Sequence, residues 1–398
     1  MIEIQDAKKN VIKLRNDSNQ TLALGCPSCA EFNTCGGLRV SAGLLDCLGN
    51  CNCLDKSKCN VVCPRNNDFP SRYQEVRGFE FSDVHKRTSL MKRINLPNAV
   101  HLLYRSPKIS GLIDLDVAAI PLSQVINRSG HKGSALSRLE LQNRFKLSPS
   151  TKLVLSGVEF DRNLEKWWGA RHGRVEMLEG ISKLQPLIVS TPNFSNIIDT
   201  PRHDALHSLK RIVLAWSELH DFGIPTALHL NGTTDRDYER IADFLRTHNE
   251  IKAVSVEFET GAATNLRGQY HVEQLQRLVQ KVGRPLHLVF RGNPRWLPSL
   301  RRDFTQFTVL NAQASMKTRQ RQRAEYDNSG KLRWKSFPTA LGATLDELHA
   351  HNLTAVSSWL GAKLLNGSQA PEKIAALKTI ASEVQPETEY KSAQMSFF

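Results

Sequence analysis

The sequence predicts an α/β fold: a TIM-type (β/α)8-like barrel with an N-terminal cysteine-rich metal-binding module. Between residues 100 and 310, short apolar runs alternate with amphipathic stretches of helical period, as parallel strands joined by crossover helices do. Seven or eight such strands fall in this region and no glycine-rich dinucleotide fingerprint follows any of them, which favours a closed barrel over an open doubly wound sheet. All eight cysteines lie outside it, between Cys26 and Cys63.

In chain order, residues 1–25 form a leading strand segment and 26–70 the metal module. The chain begins MIEIQDAKKN, with no apolar stretch behind a basic start, so a cytoplasmic location with reduced thiols is expected. Cys26, Cys29, Cys35, Cys47, Cys51, Cys53, Cys59 and Cys63 then divide into two sets of four metal ligands. Only Cys26 and Cys29 have the CxxC spacing of a zinc knuckle. The uneven spacings, the Cys63-Pro64 ending and the lack of histidine suit iron–sulfur clusters. An iron–sulfur cluster and zinc both stay open as the cofactor.

The barrel region, 95–335, has expected strands at 100–104, 112–117, 152–156, 187–190, 225–230, 252–258, 285–290 and 306–310. Helices are expected at 134–145, 162–183, 201–221, 234–247 and 264–282 from apolar spacings of three and four. Strand alternation then assigns faces. In KAVSVEFET, Val254, Val256 and Phe258 must meet the helices, so Ser255, Glu257 and Glu259 point to the barrel axis. By the same rule Leu228 and Leu230 leave His229 and Asn231 inward, and Leu286, Leu288 and Phe290 leave His287, Arg291 and Asn293 inward. These polar groups are expected to converge on one mouth at the carboxyl ends of the strands. Carboxylates, imidazole, guanidinium and carboxamides together suit acid–base chemistry on a polar heterocycle, or its recognition without chemistry.

Past the last strand, the segment from Lys317 to Lys335 holds seven Lys or Arg against two acids, with Tyr326 and Trp334 interleaved. Lys317, Arg319, Arg321, Arg323, Lys331, Arg333, Trp334 and Lys335 combine charge for phosphates with a ring for bases. The net charge of +14 points the same way, to a nucleic-acid partner; of the two nucleic acids DNA is the expected one over RNA, a preference that charge does not supply. Helical patterns at 344–364 and 371–384 make a C-terminal unit, 336–385, followed by a polar tail, 386–398. No apolar run is long enough to span a membrane.

TALHLNGTTDRDYERIADFL, AVSVEFETGAA, RPLHLVFRGNPRWLPSL and FTVLNAQASMKTRQRQRA resemble, in order and spacing, strands of the tRNA-guanine transglycosylase superfamily, including its DNA-acting deazaguanine relatives. The resemblance covers roughly residues 150–335 and implies a base-sized pocket and base exchange; among the side chains that alternation aims at the mouth, the catalytic candidates are Glu257 or Glu259 as general acid or base and His229, with Arg291, to polarise or bind. Asn231, Gly232, Arg291, Asn293 and Asn311 are the matching substrate-binding candidates. The departures are specific. Where that family has its nucleophilic aspartate this chain has Asn311 or a near neighbour, and a carboxamide cannot form the same covalent intermediate. Where the family has an aspartate before Ser-Gly-Gly, LVLSGVEF supplies Leu155, with Glu159 and Asp161 downstream, and the family's zinc motif after the barrel is missing. The tail residues Gln394, Met395, Ser396, Phe397 and Phe398 resemble the pentapeptide by which bacterial replication and repair proteins bind the sliding clamp.

The expected function is thus a transglycosylase-like, base-modifying transferase acting on nucleic acid. The alternative is a noncatalytic nucleic-acid-binding accessory factor recruited to the clamp.

Overall fold

The computed structural model describes residues 21–22, 39–40, 72, 75–86, 94–129, 132–170, 173–196, 202–259, 265–304, 306–328 and 330–366. The eight cysteines, the helix expected at 371–384 and the tail with Gln394, Met395, Phe397 and Phe398 lie outside these residues.

Eight parallel strands close into a barrel in sequence order: β1 Ala99–Leu102, β2 Val117–Pro121, β3 Lys152–Ser156, β4 Ile188–Ser190, β5 Thr226–His229, β6 Ala253–Phe258, β7 His287–Gly292 and β8 Gln306–Asn311. The crossovers include helices α1 Arg138–Phe145, α2 Asp161–Trp168, α3 Gly173–Lys183, α4 Arg202–Asp221, α5 Asp235–Thr247 and α6 Asn265–Val282. After β8 come α7 Gln313–Arg319, a hairpin of Gln322–Tyr326 with Leu332–Ser336, and α8 Asp346–Asn366.

Two apolar layers follow from strand alternation. Val100, Leu102, Ala119, Val154, Ile188, Ala227, Ala253, Val289 and Leu310 fill the barrel interior, where the alanines fit a bore just wide enough for side chains. Leu228, Val254, Val256, Phe258, Leu288 and Phe290 face the helices in a larger outer core. A strap at residues 75–86 lies on that outer wall. It buries Val76, Phe79, Phe81 and Val84, and Phe81 packs edge-on against Phe244 of α5. Buried Lys210 of α4 reaches the Glu80 carbonyl and Asp83 of the strap, and Arg240 of α5 reaches the Phe79 carbonyl.

Several elements differ from expectation. The second strand is 117–121 rather than 112–117. LIDLDV makes only an isolated bridge, Ile113 to Leu147, and the VAAIP run after it brings the small side chains the interior requires. The stretch 134–145 divides, because a hairpin of Ile126–Ser129 with Lys132–Ala135 precedes α1, which starts on a Ser137–Glu140 capping box. The single helix expected at 162–183 is two, α2 ending at Gly169 and α3 starting at Gly173. Residues 103–116, between β1 and β2, contain no helix, and α8 is anchored at this place. Asp346 accepts from the backbone N–H groups of Ser110 (2.8 Å) and Gly111 (3.0 Å), while His101, on the outward face of β1, meets Ser357 at 2.7 Å.

Candidate active site

The carboxyl ends of β5, β6 and β7 bring together four of the expected polar side chains in two levels. Register pairs His229 with Ser255 and Ser255 with Val289 on one level, and Glu257 with Arg291 two residues further along, at the mouth. His287 begins β7 and so lies at the opposite end, bonded to Thr308 at 2.9 Å, which removes it from the mouth.

Arg291 crosses the barrel. From β7 its guanidinium reaches the Val158 carbonyl just after β3, donates to the Tyr104 hydroxyl beyond β1 (3.2 Å) and pairs with Glu259 (3.2 Å). Strands three and seven of eight are diametrically opposed, so this one side chain spans the axis. Burial opposes its charge, but Glu259, Tyr104 and Glu257 outweigh that and raise its pKa. Glu257 accepts the backbone N–H of Glu259 at 2.6 Å, which ties the two carboxylates into one turn.

His229 is the floor beneath them. It is fully buried, its backbone N–H donates to Thr191 (2.8 Å) and its Nδ1 meets Ser255 (3.2 Å). Burial, with the Arg291 charge above, lowers its pKa to about 3, so at neutral pH it is an uncharged ring that orients neighbours.

Beside the axis a cavity of about 190 Å³ opens between the ends of β4–β6 and the start of α6. His229, Asn231, Gly232 and Glu257 line it together with Asn193, Ser195, Asn196, Arg267 and His271, over apolar walls of Leu230, Val256, Phe258 and Leu275. Gly232 is required by packing, since a Cβ there would come within 2.7 Å of the Tyr238 ring that forms part of the wall.

Two expected residues lie elsewhere. Asn293 is exposed and accepts from the Arg295 N–H (3.1 Å), capping the short turn Pro294–Trp296. Asn311 alternates onto the helix-facing side with Phe307 and Val309, and accepts from the Gln313 N–H (2.9 Å) at the start of α7. Neither is on the cavity wall.

The loops contribute residues that alternation does not reach. Glu159, after β3, accepts from the Ser123 N–H (2.6 Å) and Asn163 (3.1 Å), and burial raises its pKa against those donors and Arg291. Burial likewise raises the Tyr104 pKa. Besides the resemblance of LVLSGVEF, the sequence signal for Glu159 is its place three residues beyond the end of a strand, where barrel sites gather. Next to it Phe160 is 62% exposed, with the Arg162 guanidinium 5.5 Å over its ring.

The basic segment runs from the end of α7 into the hairpin, which α8 then follows. Arg323, Lys335 and Arg333 share its open face with Glu325, while Ala324, Trp334, Tyr326 and Leu332 alternate to the other. Trp334 is half-buried and packs on the outer core with Lys317 5.9 Å over its ring. Arg319 and Lys331 are exposed, and Arg321 donates to Thr339 (2.8 Å). Lys335 pairs with Glu325 (2.6 Å) and Arg333 with Asp327 (2.9 Å).

Among the described residues no cluster of three or more His, Cys, Asp or Glu has the arrangement of a metal site, and no helix is long and apolar enough to cross a membrane. No protein-family model matches the chain, and no curated protein matches it.

Proposed function

We propose that this chain binds a nucleobase of DNA or RNA, DNA favoured, in the cavity beside the barrel axis and carries out proton transfer on it, as a transglycosylase-like base-modifying enzyme. One observation carries the reading: Glu257 lines the cavity together with carboxamides and with apolar side chains. Glu257, steadied by the Glu259 N–H, is the general acid or base. Arg291 sets the field around it. The helix-facing position of Asn311 leaves it outside this chemistry. An extruded base requires phosphate contacts nearby. Phe160 with Arg162 at the rim, and Arg323, Arg333 and Lys335 on the hairpin, are the groups proposed to supply them.

The eight cysteines are proposed to hold iron–sulfur clusters or zinc, and the tail to bind the sliding clamp; both readings rest on the sequence. The alternative, a noncatalytic accessory factor, is favoured by Arg291 itself, which occupies the axis of the barrel with Tyr104, Val158 and Glu259 as fixed partners.

The test is exchange or release of labelled bases from oligonucleotides. Glu257→Gln is expected to lower turnover by about a hundredfold or more while circular dichroism and oligonucleotide affinity stay as in the parent. Unchanged turnover in this variant removes the acid–base assignment, and absence of any base exchange or release by the parent favours the accessory factor.

A further inference from the structure

We infer that a notch beside the mouth, flanked by Arg105, Arg144 and Lys146, holds a backbone phosphate of the nucleic acid whose base enters the cavity. This rests on the nucleic-acid reading above and adds where the strand is gripped.

Four elements build the notch. Arg105 and Ser106 follow β1, Arg144 and Lys146 end α1, and Ser315 and His349 come from α7 and α8. Tyr104 and apolar residues complete its lining, which contains no carboxylate. Backbone hydrogen bonds hold the parts together. The Arg105 N–H donates to the Gln124 side chain (3.2 Å), and the Ile113 N–H donates to the Lys146 carbonyl (2.6 Å), tying the end of α1 to the segment after β1. Among the described residues, the side chains of Arg105, Arg144 and Lys146 have no hydrogen-bond or ion-pair partner. Burial, and then the Arg105 charge, lower the Arg144 pKa, so the two guanidinium groups lie near enough to repel each other. The negative end of α1 favours Arg144 and Lys146 but does not account for Arg105, which a different segment brings in. An anion between them offsets that repulsion and accepts charge-assisted hydrogen bonds.

Size and place narrow the anion. The notch encloses about 10 Å³, room for a single water-sized group, so it admits one oxygen atom and not a whole metabolite. A phosphodiester lying across the opening meets that limit, with one oxygen inward and the chain running on to either side. Tyr104 lines the notch and its hydroxyl accepts from Arg291 (3.2 Å), which puts the notch next to the mouth. In the barrel β1 stands opposite β5, and the cavity opens at the ends of β4–β6. A strand with its base in the cavity therefore crosses the mouth to reach the notch.

Fluorescence anisotropy of labelled single-stranded and duplex oligonucleotides with the full-length protein tests this at several salt concentrations. Arg105 and Lys146 are exposed, so the double variant Arg105→Gln with Lys146→Gln removes two charges without opening the core. Lys152→Gln with Lys183→Gln removes the same charge from exposed lysines at the amino end of the barrel, where β3 begins and α3 ends. The notch variant is expected to bind about fivefold or more weakly and to flatten the salt dependence by about one unit of slope, while the control changes neither. Adding Arg144→Gln to the notch variant should weaken binding further. Equal losses in both double variants show an effect of net charge and overturn the notch. Parent-like binding by the notch variant overturns it too and leaves the nucleic-acid reading in place. Calorimetric binding of inorganic phosphate that an oligonucleotide does not displace assigns the notch to a free anion and overturns the backbone as its source. Failure of the parent to bind any oligonucleotide overturns this inference together with the reading beneath it.

Discussion

Gly292 follows Arg291 at the end of β7 and has φ +137, a backbone conformation that side chains rarely adopt. A Cβ at this position would stand 2.7 Å from the backbone carbonyl of Phe258 on β6. The glycine therefore lets two strands approach where Glu257 and Arg291 must lie side by side. Gly292→Ala is expected to destabilise the fold by roughly 2 kcal/mol or more, from backbone strain with a clash added. The thermal midpoint should fall by several degrees, and a midpoint equal to that of the parent would show that β6 and β7 separate freely. The sequence shows a glycine at a strand end; the approach it permits depends on β6, more than thirty residues earlier.

For the hairpin of Gln322–Tyr326 with Leu332–Ser336, two-residue alternation separates what composition had combined. Tyr326, although 49% exposed, donates its hydroxyl to the Ala355 carbonyl of α8 at 2.7 Å, and Trp334 packs on the core, so the open face offers charge without rings. Replacing Arg323, Arg333 and Lys335 by Ala is expected to weaken nucleic-acid binding and to flatten its salt dependence by up to about three units of slope. Trp334→Ala is expected to lower the melting temperature and leave that slope as it was. A slope unmoved by the triple substitution would place the phosphate contacts elsewhere. At this scale the sequence was informative where a strand has one apolar face: the inward direction of His229, Ser255, Glu257 and Arg291 follows from period two alone. It was uninformative where partners come from distant loops. Arg291 reaches Val158 across 133 residues, and Glu159, Asn193 and Asn196 sit on turns without periodicity. In the sequence Tyr326 and Trp334, interleaved with basic residues, look like base-stacking rings; the structure shows the Tyr326 hydroxyl bonded to α8 and Trp334 packed on the outer core.

Across the whole molecule, histidine rather than the excess of lysine and arginine sets the expected response to acid. His101 and His349 stand on either side of the α8 attachment, His101 against Ser357 and His349 near Ser315. Burial, with mutual repulsion at His101, lowers the pKa of each to about 4, and at His349 the Asp346 charge opposes that shift without reversing it. His287 at the base of β7 is lowered to about 4 and His229 beneath the mouth to about 3, both mainly by burial. In the unfolded chain the same side chains titrate near 6.5. Between pH 6.5 and about 4 the unfolded state therefore binds protons that the native state refuses, so stability rises with pH through this window and is lost as pH falls. A single histidine held neutral from 6.5 down to about 4 is worth up to about 3 kcal/mol, a large part of the margin of an ordinary domain. Thermal unfolding followed at pH 7.5, 6.5, 5.5 and 4.5 should show a nearly constant midpoint over the first two and a steep fall over the last two. His101→Gln, which keeps a hydrogen-bonding group beside Ser357 without a titrating ring, should make that fall shallower. A midpoint that holds steady down to pH 4.5 would mean that these rings carry protons in the folded protein, and that neither α8 nor the floor of the mouth depends on neutral histidine.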